Sequence, residues 1–388
     1  MTESRCFMYY NDFKDLKLSG LGLGCMRLPC IDGDDSRPDP AAVQEMVDYA
    51  MANGINYYDT AWGYHDGNSE TVIGEALSKY DRSSFYLTTK FPGYDLSNFG
   101  KHEEIFNRQL EKCQTDYFDF YLYHNVCELN IDKYLEDEEL TNFLLKMKAE
   151  GKIRHLGFSC HGSLEVMHRF IMKHFEHIEF CQIQLNYLDF EFQNAKDKVE
   201  ELNNIGIPIW VMEPLRGGKL AKSCLGGEKM LAKSNPDWTP ANWAFSFVET
   251  VPGVTMILSG MSNFDQLKQN IAFFDEKKML SDDDIATLLT AAHFDTTGKN
   301  SGTVPCTGCK YCMSKCPMEL EIPRILELYN EHAYSEGGFI APMALASWDA
   351  DELPSACIGC GACAAVCPQQ IDISGTMSKF AEMLSKAE

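Results

Sequence analysis

Short apolar runs alternate with helix-period segments along most of this chain. The runs are rich in aromatic and β-branched residues and are bounded by polar turns, which predicts short buried strands. They begin near residues 21, 55, 85, 118, 155, 181, 208 and 254. Most gaps between them hold one amphipathic pattern, which predicts a helix. Eight alternating strand and helix units over about 250 residues predict a TIM (β/α)8 barrel.

Two further features bear on the fold of this region. A doubly wound sheet is the alternative, but no Gly-x-Gly-x-x-Gly turn follows an early strand, and such a turn is the usual mark of that fold. The residues before position 21 predict a short hairpin with the polar segment NDFKD as its turn. We expect this hairpin to close the bottom of the barrel.

The chain changes character after the last barrel unit. Residues 293–305 (HFDTTGKNSGTVP) form a polar segment rich in Gly and Thr. Two copies of Cys-x-x-Cys-x-x-Cys-x-x-x-Cys-Pro follow, and the segment between them has helical spacing of apolar residues. We therefore predict a barrel domain with an N-terminal hairpin at 1–292, a linker at 293–305, and a small domain at 306–388 that resembles α-helical ferredoxins.

The repeated cysteine spacing is typical of bacterial [4Fe–4S] sites, in which the fourth cysteine ligates the other of two clusters. Zinc is the alternative, although it usually takes its ligands in pairs. The pattern predicts two [4Fe–4S] clusters, each held by three cysteines of one motif and one of the other. The first set is Cys306, Cys309, Cys312 and Cys367, and the second is Cys357, Cys360, Cys363 and Cys316.

Composition narrows the partners and the compartment. The formal charge of −23 argues against nucleic acid and anionic membranes. The sequence has no apolar run long enough for a membrane span and no apolar core of a signal peptide near its start, so we expect a soluble cytoplasmic protein. Sixteen cysteines in such a chain indicate metal ligation or free thiols rather than disulfides.

Four polar residues stand where predicted strands end or just beyond. Asp59 ends one strand and Tyr64 follows five residues later, while Lys90 and His124 end the next two. A nearby ammonium favours the tyrosinate anion and makes the phenol a better acid. Lys90 supplies that charge, Asp59 is its counter-ion, and His124 binds a substrate oxygen or relays a proton. Together they suit carbonyl reduction, with Tyr64 as the general acid.

At these residues the chain resembles the aldo-keto reductase family. The resemblance covers about residues 16–275, and the family's Asp, Tyr, Lys and His tetrad falls on the four residues above. Supporting segments are LGLGCMRLP, GKIRHLGFS, CQIQLNY and GMSNFDQLKQN. The resemblance implies an oxidoreductase that acts on a small carbonyl or alcohol substrate with NADP(H) or NAD(H).

The same resemblance implies cofactor contacts. Residues 216–238 are expected to form a flap over the pyrophosphate, with a plain surface insertion as the alternative. Met212 replaces the usual aromatic that stacks on the nicotinamide, and Gly260 and Gln266 replace a basic pair, so NADP, NAD and a flavin all stay open. The nicotinamide, ribose and phosphate contacts are Gly24, Cys25, Met26, Asp59, Ser159, Gln184, Met212 and Leu215, and the 2′-phosphate contacts are Gly260, Ser262, Gln266 and Asn270.

Combining the two domains raises an electron-counting problem, because a nicotinamide passes a hydride whereas each cluster passes one electron. Three hypotheses follow. The first is a carbonyl reductase whose clusters carry electrons or have a structural or sensing role. The second is a ferredoxin-linked oxidoreductase in which a flavin or a substrate radical joins the barrel to the clusters and to a redox partner protein. The third is an electron carrier with a non-catalytic barrel.

Overall fold

A computed structural model describes residues 8–297 and 301–386. The outer limits of the two predicted domains, at residues 1 and 388, and residues 298–300 of the predicted linker lie outside this part of the chain. The contacts divide it into two compact units. The first comprises the described residues up to Val126 together with Asn130–Leu289, and the second comprises Cys127–Leu129 and the described residues from Thr290 onward.

The first unit is a closed barrel of eight parallel strands, preceded by an antiparallel hairpin. Going round the barrel, the order is β10-β3-β4-β5-β6-β7-β8-β9, which is the expected fold class. The strands are β1 (Tyr10–Phe13), β2 (Leu16–Ser19), β3 (Leu21–Gly24), β4 (Tyr57–Asp59), β5 (Tyr86–Phe91), β6 (Phe118–Val126), β7 (Ile153–Cys160), β8 (Cys181–Gln184), β9 (Ile209–Met212) and β10 (Val254–Gly260).

Helices surround the barrel and build the second unit. Their ends carry local stop and start signals: Asp39 caps the first helix by accepting from the backbone N–H groups of Ala41 and Ala42, and Pro40 is its first residue. The helices of the first unit are α1 (Pro40–Ala52), α2 (Ser69–Leu77), α3 (His102–Lys112), α4 (Ile131–Glu136), α5 (Glu138–Ala149), α6 (Leu164–His174), α7 (Asp189–Phe192), α8 (Ala195–Asn204), α9 (Glu228–Leu231), α10 (Pro240–Thr250) and α11 (Phe264–Phe273).

The barrel is closed at the end where its strands begin. Strands β1 and β2 form the expected hairpin, with a turn at Lys14–Asp15 that is shorter than NDFKD. Phe13 is 3% exposed, and its ring meets those of Trp210 and Phe120 edge-on or tilted, at centroid distances of 5.0 and 5.7 Å. This aromatic plug leaves the carboxyl ends of the strands as the open rim, where active sites of such barrels lie.

Regular structure in the second unit, over the residues that are described, is helical. Four of its residues, Ile325, Leu328, Tyr329 and His332, were expected on one helical face and are all buried. Residues 293–297 of the predicted linker belong to the helix α12 (Asp282–Thr297), whose first half is part of the first unit. No described helix of the chain has the length and apolar character needed to cross a membrane. The further helices of the second unit are α13 (Ile322–Tyr334), α14 (Ile340–Leu345), α15 (Ala362–Ala365) and α16 (Ile373–Ser385).

Candidate active site and cluster cavities

A buried ion pair lies at the rim of the barrel. Neighbouring strands β4 and β5 bring Asp59 and Lys90 together: the Lys90 Nζ donates to Asp59 Oδ1 at 2.7 Å and to the Thr60 carbonyl at 2.7 Å. The Lys90 side chain is fully buried, and that of Asp59 is 4% exposed. Burial lowers the pKa of Lys90, but Asp59 and Tyr64 outweigh it and raise the pKa overall. Lys90 is therefore charged at neutral pH.

Tyr64 begins a short 3-10 turn directly after the β4 loop. The Lys90 Nζ lies 5.0 Å from the centre of the Tyr64 ring. Burial raises the pKa of the phenol and is the largest effect, while the charge and hydrogen bond of Lys90 act in the opposite direction. The pKa of Tyr64 is raised overall. Lys90 makes the phenol more acidic, as expected, but burial has the larger effect. The phenol keeps its proton at neutral pH.

His124 completes the group of four from strand β6. Its ring meets that of Tyr64 edge-on at 6.1 Å and that of Tyr94 at 5.2 Å between centroids. Burial, together with Lys90 and His161, holds the pKa of His124 well below its usual value. Its Nδ1 is buried and has no hydrogen-bond partner among the described residues. The structure thus brings the four predicted residues together, with His124 as a neutral imidazole.

Sequence reasoning missed a buried network behind Lys90. Glu70, on α2, is fully buried and accepts from Thr89 Oγ1 at 2.7 Å and from Gln109 Nε2 at 2.8 Å. The same Gln109 nitrogen lies 2.9 Å from the Lys90 carbonyl oxygen. The network therefore fixes the backbone that carries the ammonium. The signal in the sequence was a carboxylate on the same helical face as Ile73 and its neighbours.

The residue after Tyr64 ties the rim loops together. His65 has a φ of 54°, which is uncommon for a residue other than glycine. Its buried ring accepts from the Leu28 N–H at Nε2 (3.1 Å), and Nδ1 lies 2.7 Å from the Asp35 carbonyl oxygen. Cys30 and the Asp35 carboxylate lie close to the same Nδ1. Because Nε2 accepts, Nδ1 carries the proton, and this group is a hydrogen-bonded tie rather than a metal site.

Two cysteine-lined cavities occupy the second unit. Each cavity combines three cysteines of one motif with the last cysteine of the other, which is the arrangement that the spacing predicts. One is lined by Cys306, Cys309, Cys312 and Cys367. The other is lined by Cys316, Cys357, Cys360 and Cys363.

The similarity to known proteins agrees with both parts of the chain. Residues 20–292, well over half of the sequence, match the model of the Aldo/keto reductase family. The chain belongs to the aldo/keto reductase family. Residues 305–371 match the model of a 4Fe-4S dicluster domain, so the reductase barrel is followed by an iron-sulfur module.

Individual relatives are distant, and three of them cover about 70% of this chain and more than 90% of their own length. The uncharacterized oxidoreductase YqkF of Bacillus subtilis is 24% identical over 299 residues, which are 69% of this chain and 91% of its own. The holo form of an aldo-keto reductase from Bacillus halodurans has a TM-score of 0.60 at 24% identity, over 74% of this chain and 96% of that one. An aldo-keto reductase from Klebsiella pneumoniae in complex with NADPH has a TM-score of 0.56 at 22% identity, over 72% and 94%. With the family match, the chain is an oxidoreductase enzyme.

Most of the positions that correspond to the family's cofactor contacts lie along one rim of the barrel. Gly24 pairs in register with both Asp59 and Gly260, and Gln184 pairs with Met212. A Cβ on Gly24 would lie 3.4 Å from the backbone nitrogen of Gly260, so the two glycines keep this part of the rim narrow. At this part of the rim Gly24 is partly exposed and Gly260 is exposed.

The remaining positions that the resemblance assigned to cofactor contacts differ in whether their polar groups already have hydrogen-bond partners. Ser159 Oγ accepts from the Asn125 N–H at 2.8 Å, and Asn270 Nδ2 donates to Ser259 Oγ at 3.3 Å. Gln266 accepts from the Ser262 N–H at 2.8 Å. Several of these groups therefore already have intramolecular partners. Cys25 is buried, Met26 is exposed and Leu215 is partly exposed.

The flap candidate is an ordered segment with its own apolar anchors. Leu220, Cys224 and Leu231 are buried, and Glu228 Oε1 accepts from the Cys224 N–H at 2.8 Å. These contacts hold residues 219–231 as a folded loop after β9.

One cation near the rim was not singled out from the sequence. The stem of Arg27 lies against Gly260, where a Cβ would be 3.2 Å from the Arg27 Cβ. Its Nη2 is 3.5 Å from Glu213 Oε1. The side chain is half-exposed. In the sequence, the signal for Arg27 was a charged residue that directly follows GCM at the end of a glycine-rich strand. Arg27 places positive charge beside a position where the family's basic pair is missing.

Proposed function

We propose that the barrel interconverts a small aldehyde or ketone and its alcohol, with Tyr64 as the general acid in the reducing direction. The observation that carries the proposal is the buried Lys90 ammonium, which pairs with Asp59 and lies 5.0 Å from the centre of the Tyr64 ring. A cation held there favours the developing tyrosinate as the proton leaves. Asp59 keeps the cation in place and compensates its burial.

His124 suits the role of orienting the substrate oxygen. Its neutral ring lies edge-on to Tyr64 and has an unpartnered buried nitrogen. A carbonyl oxygen between the imidazole and the phenol would receive two hydrogen bonds. The negative charge that develops on the substrate oxygen during reduction is then stabilised by two hydrogen-bond donors in a site that excludes most water.

A nicotinamide dinucleotide fits the rim and would supply the hydride. Gly24, Cys25 and Met26, with Ser159, Gln184, Met212 and Leu215, are proposed to hold its nicotinamide, ribose and phosphates. Gly260, Ser262, Gln266 and Asn270 are proposed to face the adenosine end. Arg27 lies beside Gly260 with Glu213 Oε1 at 3.5 Å, and we propose that its guanidinium also binds a phosphate of NADP(H), with NAD(H) as the alternative. None of the findings supports a flavin.

The eight cysteines of the second unit are proposed to hold two [4Fe–4S] clusters. Thiolates are the ligands that such clusters require, and each cavity offers four of them. We propose that the clusters carry single electrons to or from a redox partner protein, coupled to or regulating the barrel reaction. Because these thiolates must stay reduced, we place the protein in the cytoplasm.

Anaerobic purification tests the cluster half of this proposal. The protein as purified should contain iron and sulfide in equal amounts and a broad absorbance that dithionite bleaches. Titration with NADPH then shows whether the nicotinamide reduces the clusters. Zinc in place of iron, in protein kept anaerobic throughout, would contradict the proposed ligation.

A Tyr64→Phe variant tests the barrel half. We expect NADPH-dependent reduction of simple aldehydes to fall by about 100-fold or more, since the general acid is removed, while the thermal midpoint stays close to wild type. Tyr10→Phe is the matched control, because that phenol is exposed and donates to the Gly54 carbonyl on the outside of the barrel. Near wild-type turnover in Tyr64→Phe would remove Tyr64 as the acid.

A further inference from the structure

The two cysteine-lined cavities share a wall. Among the described residues that line them, Ile373 lines both. It is the first residue of α16 and is 1% exposed. The exchange of the fourth cysteines, Cys367 and Cys316, between the two motifs requires the cavities to be neighbours. One aliphatic side chain therefore stands between two sites for anionic clusters.

Local contacts hold this side chain in place. Asp372 caps α16 and accepts from the Gly375 N–H at 3.0 Å, and a Cβ on Gly375 would lie only 2.2 Å from Asp372 Oδ2. The start of the helix is therefore closely packed against its own cap. Ile373 has little freedom to move away from the space between the cavities.

Two buried neighbours in the sequence each line one cavity alone. Ile371 lines the cavity of Cys306, and Met377 lines the cavity of Cys316. Both are at most 5% exposed. Ile371 and Met377 therefore each line one cavity, whereas Ile373 lines both. Variants of the first two residues serve as controls for variants of Ile373.

We propose that Ile373 is the partition that keeps water from between the two clusters and thereby sets the reduction potential of each. The inference rests on the proposed cluster ligation. A reduced cluster carries one more negative charge than an oxidised one, so a dry, apolar surrounding disfavours the reduced form. The same low dielectric strengthens the repulsion between two reduced clusters. Opening the partition to water relieves both effects.

The test is a redox titration of the full-length anaerobic protein, followed by electron paramagnetic resonance. We expect Ile371→Ala and Met377→Ala each to shift one midpoint upward, and a different one in the two variants. Ile373→Ala should shift both midpoints upward and narrow their separation. Ile373→Val, which removes a single methyl group, should give a smaller shift of both in the same direction.

The outcomes separate this inference from the ligation on which it rests. An iron-free wild-type protein, purified anaerobically, overturns the ligation and the partition together. An iron-loaded Ile373→Ala protein with both midpoints unchanged, or with one alone shifted, overturns the partition and leaves the ligation standing. If the Ile373→Ala protein is purified without iron, the midpoints of Ile373→Val are measured instead. An upward shift of both midpoints then supports the partition, and no shift or a shift of one alone overturns it.

Discussion

Replacing Lys90 by methionine should cost this protein stability as well as activity. The ammonium is fully buried and donates to Asp59 and to the Thr60 carbonyl. Removing it leaves the Asp59 carboxylate buried without a counter-ion, and its Oδ2 already lacks a hydrogen-bond partner among the described residues. Breaking a buried pair in this way typically costs about 3–5 kcal/mol. For a barrel of this size that corresponds to a fall of roughly 10 °C in thermal midpoint.

The double variant separates the lost contact from the orphaned charge. In Asp59→Asn with Lys90→Met, no charge is left in the site, so we expect most of the lost stability to return, since neutral replacements of buried pairs are often tolerated. The pH dependence has a definite sign. In the single variant, burial raises the folded-state pKa of Asp59 above its unfolded value of about 3.9, so the stability loss grows as the pH rises and is smaller at pH 5 than at pH 8.

Denaturant unfolding followed by tryptophan fluorescence measures these effects. Four of the five tryptophans lie in the barrel unit, so the signal reports mainly on its unfolding. Lys196→Met is the control, because that side chain is exposed and its ion pair with Glu200 spans 3.8 Å; its effect should stay within about 0.5 kcal/mol. A single variant as stable as wild type at pH 8, or a double variant no better than the single one, would refute this reasoning.

Two other changes probe different parts of the barrel. Glu179→Gln should lower stability by about 2 kcal/mol at pH 7. Burial raises the pKa of Glu179, but His155 and two lysines outweigh it and lower the pKa well below its usual value. The difference from wild type in urea midpoint should therefore begin to shrink as the pH falls below about 4 and be lost only at pH values below the lowered folded-state pKa. Arg27→Ala should raise KM for NADPH by about 10-fold with little change in kcat, since a hydrogen bond to a charged group is worth about 1.5 kcal/mol or more and about 1.4 kcal/mol is a tenfold change in affinity. An unchanged KM would exclude Arg27 as a phosphate ligand.

The elements that follow directly from local pattern were predictable. All eight barrel strands lie within about two residues of the predicted starts, because strands buried on both faces are continuous apolar runs bounded by polar turns. The four rim residues were predictable for the same reason, since parallel strands end at one edge. The grouping of three cysteines from one motif with one from the other around each cavity followed from their spacing alone.

Features that depend on tertiary contacts were not predictable. Glu70 and Gln109 lie 39 residues apart and meet only in the folded chain. The raised pKa of Tyr64 comes from burial, which local sequence does not specify. The helix α12 extends into the predicted linker because Thr296 and Thr297 donate to carbonyl oxygens one turn earlier, so their polarity is satisfied inside the helix.

The exchange of fourth cysteines has a consequence for biogenesis. Cys367 belongs with residues near position 306, and Cys316 with residues near position 357, in a chain of 388 residues. Both motifs must therefore be synthesised before either proposed cluster site has its complete set of four cysteines. A premature stop anywhere between the two motifs would leave both sites defective rather than one.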